Sequence, residues 1–252
     1  MVQRAELEGE LRRLLEPEQF KDYCPNGLQV EGRDEIEKIV TGVTACRDLI
    51  LAAREKGADA ILVHHGYFWR NENPCLTGMK YERIRLLMES QINLFAYHLP
   101  LDAHPELGNN AQLAKRLGVQ VEGGLEPRNE RSVGNVGRLA SPIKGQDFAR
   151  IIEQRLKRKP LHIAGTDKLI RRVAWCTGGA QNYIDLALDA GVDAFITGEA
   201  SEQTVHIARE AGIHFFAAGH HATERYGVQA IGNYLAEKFH IRHEYIDIPN
   251  PV

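Results

Sequence analysis

The sequence predicts an α/β protein made of two similar α/β domains, each with a largely parallel or mixed sheet and helices on both faces. Three observations carry this reading. Short apolar runs of strand length alternate with longer amphipathic segments along most of the 252 residues. Glycines close the amphipathic segments at Gly57, Gly118 and Gly191, the usual place for a helix-ending residue. The order strand–helix–strand–helix–strand–helix occurs twice, and Gly191 in GVDA lies 134 positions after Gly57 in GADA. Such alternation builds parallel strands joined by helical crossovers.

Residues 4–16 form an opening amphipathic helix that stops near Pro17, and the loop YCPNGLQVEG carries the turn signal Pro25-Asn26-Gly27. The run from Ile39 to Val43 is a strand, and a helix follows from Cys46 to Lys56. The run ADAILV is a buried strand that delivers His64 and His65 at its carboxyl end. A helix over Tyr81–Ser90 leads to the strand INLFAYH, and a further helix covers Asn109–Leu117. In the second half RVAWCT and VDAFITGE are strands separated by the helix AQNYIDLALDA, and IHFFAAGH matches INLFAYH. The halves align without a gap from Lys38 and Arg172 through the GADA and GVDA runs, and the later strands also correspond, which favours an internal duplication over a chance likeness of two α/β segments. Between them, 121–171 holds the strand SVGNVGRLA, a helix starting near Ser141-Pro142, and LHIAG. The expected domains are 1–124 and 125–252, with the C-terminal segment free to pack back on the first.

A net charge of −3 opposes strong non-specific binding to nucleic acid, which requires a basic excess. The four cysteines, Cys24, Cys46, Cys75 and Cys176, show no CxxC spacing and point to neither a zinc knuckle nor a disulfide framework. The N-terminus is too charged for a signal peptide, and no apolar run has the length of a membrane span. A cytoplasmic protein is expected. Histidine, with 11 residues, several of them clustered, is the unusual feature.

Three segments carry that clustering. His64-His65 ends a buried strand, His98 and Asp102 follow the next strand, and His220 and Glu224 follow the equivalent strand of the second half. Sites in open α/β sheets lie beyond the carboxyl ends of strands. His220 and Glu224, four apart on a helical turn, share a face. The pairs His98/Asp102 and His220/Glu224 read as two copies of one histidine–carboxylate element, whereas His64-His65 corresponds to Gly198-Glu199. A site between the halves is then asymmetric. Imidazole and carboxylate without thiolate suit zinc, manganese, iron or nickel, and a carboxylate such as Glu224 can bridge two ions. The plain alternatives are structural histidines at strand ends, an Asx turn or cap at Asp102, and a solvated helix residue at Glu224.

Other candidates carry less. Gly178-Gly179 lacks the rest of a phosphate-binding fingerprint and reads as a tight turn. The cluster of Lys157, Arg158 and Lys159 with Arg150, Arg155, Arg171 and Arg172 could attract phosphate but reads as a solvated helix face. Cys176 reads as a buried strand thiol.

At these residues the sequence resembles the GTP cyclohydrolase I type 2 homologues, also described as NGG-interacting-factor-three-like dinuclear metal proteins, and most closely their YbgI-like branch. The likeness rests on YCPNGLQVEG (23–32), VTGVTA (40–45), GADAILVHHGYFW (57–69), YHLPLDAHPELGNNAQLA (97–114), VAWCTGG (173–179), VDAFITGEASEQT (192–204), AGHHATERYG (218–227) and IDIPNPV (246–252). It implies a two-domain α/β fold, a toroidal homohexamer and two divalent metal ions held by His64, His65, Asp102, His220 and Glu224. The short 121–171 connection matches members without the larger inserted domain.

For activity, the resemblance implies a metal-dependent hydrolase acting on a purine nucleotide or a related, possibly damaged, nitrogen heterocycle. His98 is the candidate proton shuttle with Glu199 behind it, and each could instead support a metal ligand. The alternative class is a non-catalytic metal-binding hexameric scaffold or regulatory protein. Carboxylate ligands favour the enzyme, because structural zinc sites usually close with Cys and His. No membrane partner is expected, and nucleic acid is disfavoured by the charge.

Overall fold

The computed structural model describes all 252 residues, which divide into two compact units: Met1–Leu101 with Gly227–Pro249, and Asp102–Tyr226 with Asn250–Val252.

In the first unit β1 (Val2–Gln3) and β3 (Glu35–Ile36) make a small antiparallel ribbon beside α1 (Arg4–Leu15). The main sheet is built from β2 (Gly27–Val30), β4 (Lys38–Thr44), β5 (Ala60–His65) and β6 (Asn93–Ala96), with α2 (Arg47–Glu55) and α3 (Gly78–Glu89) as crossovers. β4, β5 and β6 run parallel, and β2 closes one edge antiparallel to β6. β5 is a continuous apolar run because it is covered on both faces; Ile61, Leu62 and Val63 are fully buried. Leu49, Ile50 and Ala53 of α2 and Leu87 of α3 pack on one side of it.

The second unit holds α5 (Asn109–Leu117), β7 (Val119–Gly124), β8 (Asn135–Ile143), α6 (Gly145–Leu156), β9 (Leu161–Ile163), β10 (Ile170–Trp175), α7 (Ile184–Asp189), β11 (Ala194–Thr197), α8 (Glu202–Ala211) and β12 (His214–Ala217). Its six strands lie in the order β7-β8-β10-β11-β12-β9. β10, β11 and β12 are parallel; β8 and β9 flank them antiparallel. Residues 102–124, which the expected boundary puts in the first domain, carry α5 and β7, and pairing of β7 with β8 adds β7 to this sheet. The core between sheet and helices is aromatic: Phe148, Phe216 and Trp175 are each at most 1% exposed.

Helix α4 (Leu99–Ala103) connects the first unit to the second, and α9 (His220–Phe239) begins in the second and continues into the first, followed by β13 (Arg242–Tyr245). β13 runs parallel to β4 and completes the five-stranded sheet. Each unit thus contains three consecutive parallel strands joined by helices, β4-β5-β6 and β10-β11-β12. The glycines that end α2 and α7, Gly57 and Gly191, have matching φ values of +64° and +63°.

The helix expected from Ser141-Pro142 begins later, at Gly145. Ser141-Pro142-Ile143 instead prolong β8, where an irregular register opposite Ile170 and Arg172 accommodates a residue lacking an N–H. The helix expected from Tyr81 starts earlier, at Gly78. No helix is long and apolar enough to cross a membrane.

Candidate metal centre

In the first unit three histidines converge. His64 and His65 end β5, and His98 lies between β6 and α4. Their ring centroids are 4.5 Å (64–65), 5.0 Å (64–98) and 5.9 Å (65–98) apart. Each offers a ring nitrogen within 4.8 Å of the other two. The same nitrogen, Nδ1, is occupied in all three. His64 Nδ1 donates to the Tyr97 carbonyl at 3.0 Å, His65 Nδ1 meets Thr44 Oγ1 at 3.2 Å, and His98 Nδ1 donates to Asp22 Oδ1 at 2.7 Å. An oxygen acceptor on Nδ1 fixes the tautomer that places the lone pair on Nε2. His64 is fully buried, so this orientation is rigid.

Asp22 is the hub of that arrangement. One oxygen receives His98 and the Tyr23 amide at 2.6 Å; the other receives the Leu99 amide at 2.9 Å and Asn26 Nδ2 at 2.9 Å. Asn26 in turn accepts the His98 amide at 2.7 Å. Burial raises the Asp22 pKa, but the His98 hydrogen bond and charge, with the Asn26 and Tyr23 donors, outweigh it, and the net shift is downward. Asp22, Cys24 and His98 also lie at metal-ligand distances, but the carboxylate is already bonded on both oxygens. Cys24 is pushed up to about 12 by burial and then by Asp22, which keeps it a thiol.

The second unit carries Asp102, His220, Glu224 and Glu199. Asp102 lies in α4, 7% exposed, and its Oδ1 accepts from Asn109 Nδ2 at 2.9 Å and Thr177 Oγ1 at 3.2 Å. His220 opens α9 with Glu224 one turn on, and His220 Nε2 lies 3.0 Å from Glu224 Oε2. Glu199 Oε1 accepts from His220 Nδ1 at 2.6 Å, so Glu199 backs His220 while Asp22 backs His98. Burial lowers the His220 pKa; the two carboxylates, Glu224 first, reverse this and push it up to about 9. Two carboxylates on either side of one imidazole make a site whose charge suits a cation.

Gly178 makes room for that pair. Its φ is +70°, and a Cβ built on it overlaps the Glu224 carboxylate and comes within 3.1 Å of His220 Nε2. The turn is pinned by Thr223 Oγ1, which accepts the Gly178 amide at 3.1 Å, and by Thr197 Oγ1, which donates to the Gly178 carbonyl at 3.0 Å. The Gly178-Gly179 turn is therefore shaped by the side chains it faces.

The donor set is imidazole nitrogen and carboxylate oxygen, already oriented by hydrogen bonds, and it fits divalent zinc, iron, manganese or nickel. Neither buried cysteine offers a thiolate: burial, with Asp102 and Glu224 nearby, raises Cys176 well above its usual range.

A family model for Duf34/NIF3 (NGG1p interacting factor 3) matches residues 2–251. The chain belongs to the DUF34/NIF3 family. Among similar DUF34/NIF3 relatives, a Pseudomonas aeruginosa protein named GTP cyclohydrolase 1 type 2 homolog is 60% identical over 242 residues, covering 96% of each chain. The protein of that name from Escherichia coli K12 is 53% identical over 251 residues, covering 99% of this chain and 100% of the relative. A solved structure described as protein ybgI, unknown function, superposes with a TM-score of 0.95 at 52% identity over all of both chains. The protein TTHA1606 from Thermus thermophilus superposes at 0.91 with 31% identity, again over both whole chains.

Sequence reasoning places the strand-end histidines but misses Asp22, Thr44, Asn109 and Thr177. Their acceptor and donor roles depend on contacts between distant segments. The one local signal is Pro25-Asn26-Gly27, which reads as a turn and also supplies Asn26 to the His98 backbone.

Proposed function

We propose that this protein is a dinuclear-metal-dependent hydrolase acting on a purine nucleotide or a related nitrogen heterocycle, including damaged ones. His64, His65, Asp102, His220 and Glu224 would hold two divalent ions, in a ring-shaped homohexamer. The observation that carries the reading is the common orientation of the histidines: each ring bonds an oxygen through Nδ1, as metal-ligating histidines do. Family membership and the absence of thiolate donors support it.

When bound, the paired ions supply a Lewis acid and a low-pKa water. The chain's own residues do the rest. Glu199 holds the His220 ring, and Asn109 and Thr177 hold Asp102, so the donors need little reorganisation. His98, fixed by Asp22 and 5.0 Å from the His64 ring, takes a proton at Nε2 and returns it to the leaving group.

The test is product formation from a panel of nucleotides, GTP and oxidised purines included, by metal-replete protein and by Glu224→Gln. Turnover by the first and not the second is expected; turnover by both, or by neither, contradicts the reading. Light scattering tests the ring, with a mass of about 170 kDa expected for six chains of 28.3 kDa.

A further inference from the structure

A rigid aromatic patch in the first unit has no role in holding metal. Trp69 lies beside His65 and His98, at centroid distances of 6.0 and 5.0 Å, and Tyr23 lies 6.1 Å from His98 on the same cluster. Tyr23 is 55% exposed and Trp69 only half-buried, so both rings reach solvent next to the histidines.

The loop that presents Trp69 is held in an unusual conformation. Phe68 has a φ of +66°, a region that bulky side chains rarely adopt. The Glu72 carboxylate stabilises it by accepting the amides of Phe68 at 2.9 Å and Trp69 at 3.2 Å, and Lys80 pairs with Glu72 at 3.0 Å. Trp69 Nε1 donates to the Gly66 carbonyl at 3.3 Å, which fixes the indole plane. Arg70 follows directly. Its amide donates to the Tyr23 carbonyl at 2.7 Å, its guanidinium donates to the Asp22 carbonyl at 2.8 Å, and the charge lies 5.5 Å from the Tyr23 ring centre. Two flat, wet, preorganised rings with an exposed guanidinium beside them match a ligand that is planar and aromatic at one end and anionic at the other. Stacking needs only a π-face, and Arg favours phosphate.

We infer that Trp69 and Tyr23 form a stacking platform for a planar nitrogen heterocycle and that Arg70 engages its phosphate, which places a nucleotide base against His65 and His98. This deepens the hydrolase proposal and rests on it for the substrate class.

The chain provides its own reporter, because its tryptophans are Trp69 and Trp175, and Trp175 is 1% exposed. Metal-replete protein is titrated with guanosine 5′-monophosphate, guanosine and ribose 5-phosphate while tryptophan emission is followed. The expected result is saturable quenching by the first two, with guanosine about tenfold weaker, and none by ribose 5-phosphate. Trp69→Phe abolishes the quenching, and equilibrium dialysis shows Trp69→Ala weakening the nucleotide about tenfold. Arg70→Gln weakens the nucleotide to the level of guanosine and leaves guanosine unchanged.

Quenching that persists in Trp69→Phe, ribose 5-phosphate binding as tightly as the nucleotide, or no quenching by any heterocycle overturns the platform. Metal content measured on the same sample separates the two proposals: a protein that carries its ions but is not quenched refutes the platform alone.

Discussion

Replacing Gly178 by alanine separates a backbone effect from a site effect. At φ +70° an alanine pays about 1–2 kcal/mol in the left-handed region. For a chain of this size that lowers Tm by roughly 2–8 °C. Gly191→Ala is the control, because its φ is +63° and a Cβ there meets nothing within 4 Å. The two variants therefore share the backbone cost and differ in what the new methyl touches. At Gly178 it overlaps the Glu224 carboxylate, which is 3% exposed and paired with His220, so the carboxylate must swing away. Metal–ligand distances tolerate deviations of only about 0.2 Å, and loss of a ligand's support typically costs about 10–100-fold in affinity. Titration against a chelator with zinc as the probe should show Gly178→Ala weakened by about that factor and Gly191→Ala unchanged. Equal zinc affinities in the two variants would refute the role assigned to Gly178 and Glu224.

Three further outcomes are expected. His98→Ala and Asp22→Asn keep their metal but lose about 100-fold or more in turnover on any substrate the panel identifies; metal loss in His98→Ala would make His98 a ligand. Glu10, 8% exposed, is bonded by Arg13 first, and by Tyr234 and Lys238, which together hold its pKa at about 2. Since the folded value lies below the unfolded one, this stabilisation is present above about pH 4.5 and lost as pH falls toward 2. Glu10→Gln should cost about 1–2 kcal/mol at neutral pH after solvent screening, and urea titrations should show a flatter stability profile as pH falls from the unfolded value toward the folded one; parallel profiles contradict it. Phe148→Ala, which removes a fully buried ring packed edge-on at 5.4 Å against Phe216, should cost about 3–5 kcal/mol by urea denaturation. A loss well below that range would mean that the core there is loosely packed.

The parallel cores are legible in the sequence because buried strands such as β5 and β11 carry unbroken apolar stretches and the helices before them, α2 and α7, end at glycines. The edge strands are not. β2, β7 and β13 are short or half-exposed, and nothing local distinguishes their residues from loop. At the site, the strand-end position of His64, His65, His98 and His220 follows from the strand reading. Which carboxylate backs which ring does not. Asp22 lies 76 positions from His98, and Glu199 lies 21 positions from His220, so both pairings appear only when the chain is folded. Helix α4 escapes a sequence reading because Leu99-Pro100-Leu101-Asp102-Ala103 is a single turn with a proline near its start, a pattern equally at home in a loop. Gly178 reads from sequence as part of a tight turn, yet the reason for glycine there, the Glu224 carboxylate, lies 46 positions away.

The most direct measurement is metal content per chain, by mass spectrometry of the elements, after the purified protein is stripped and reloaded with zinc or manganese. Two ions per chain are expected in the wild type, and fewer than one in Glu224→Gln. A wild-type chain that retains none, or a Glu224→Gln chain that still retains two, would contradict it.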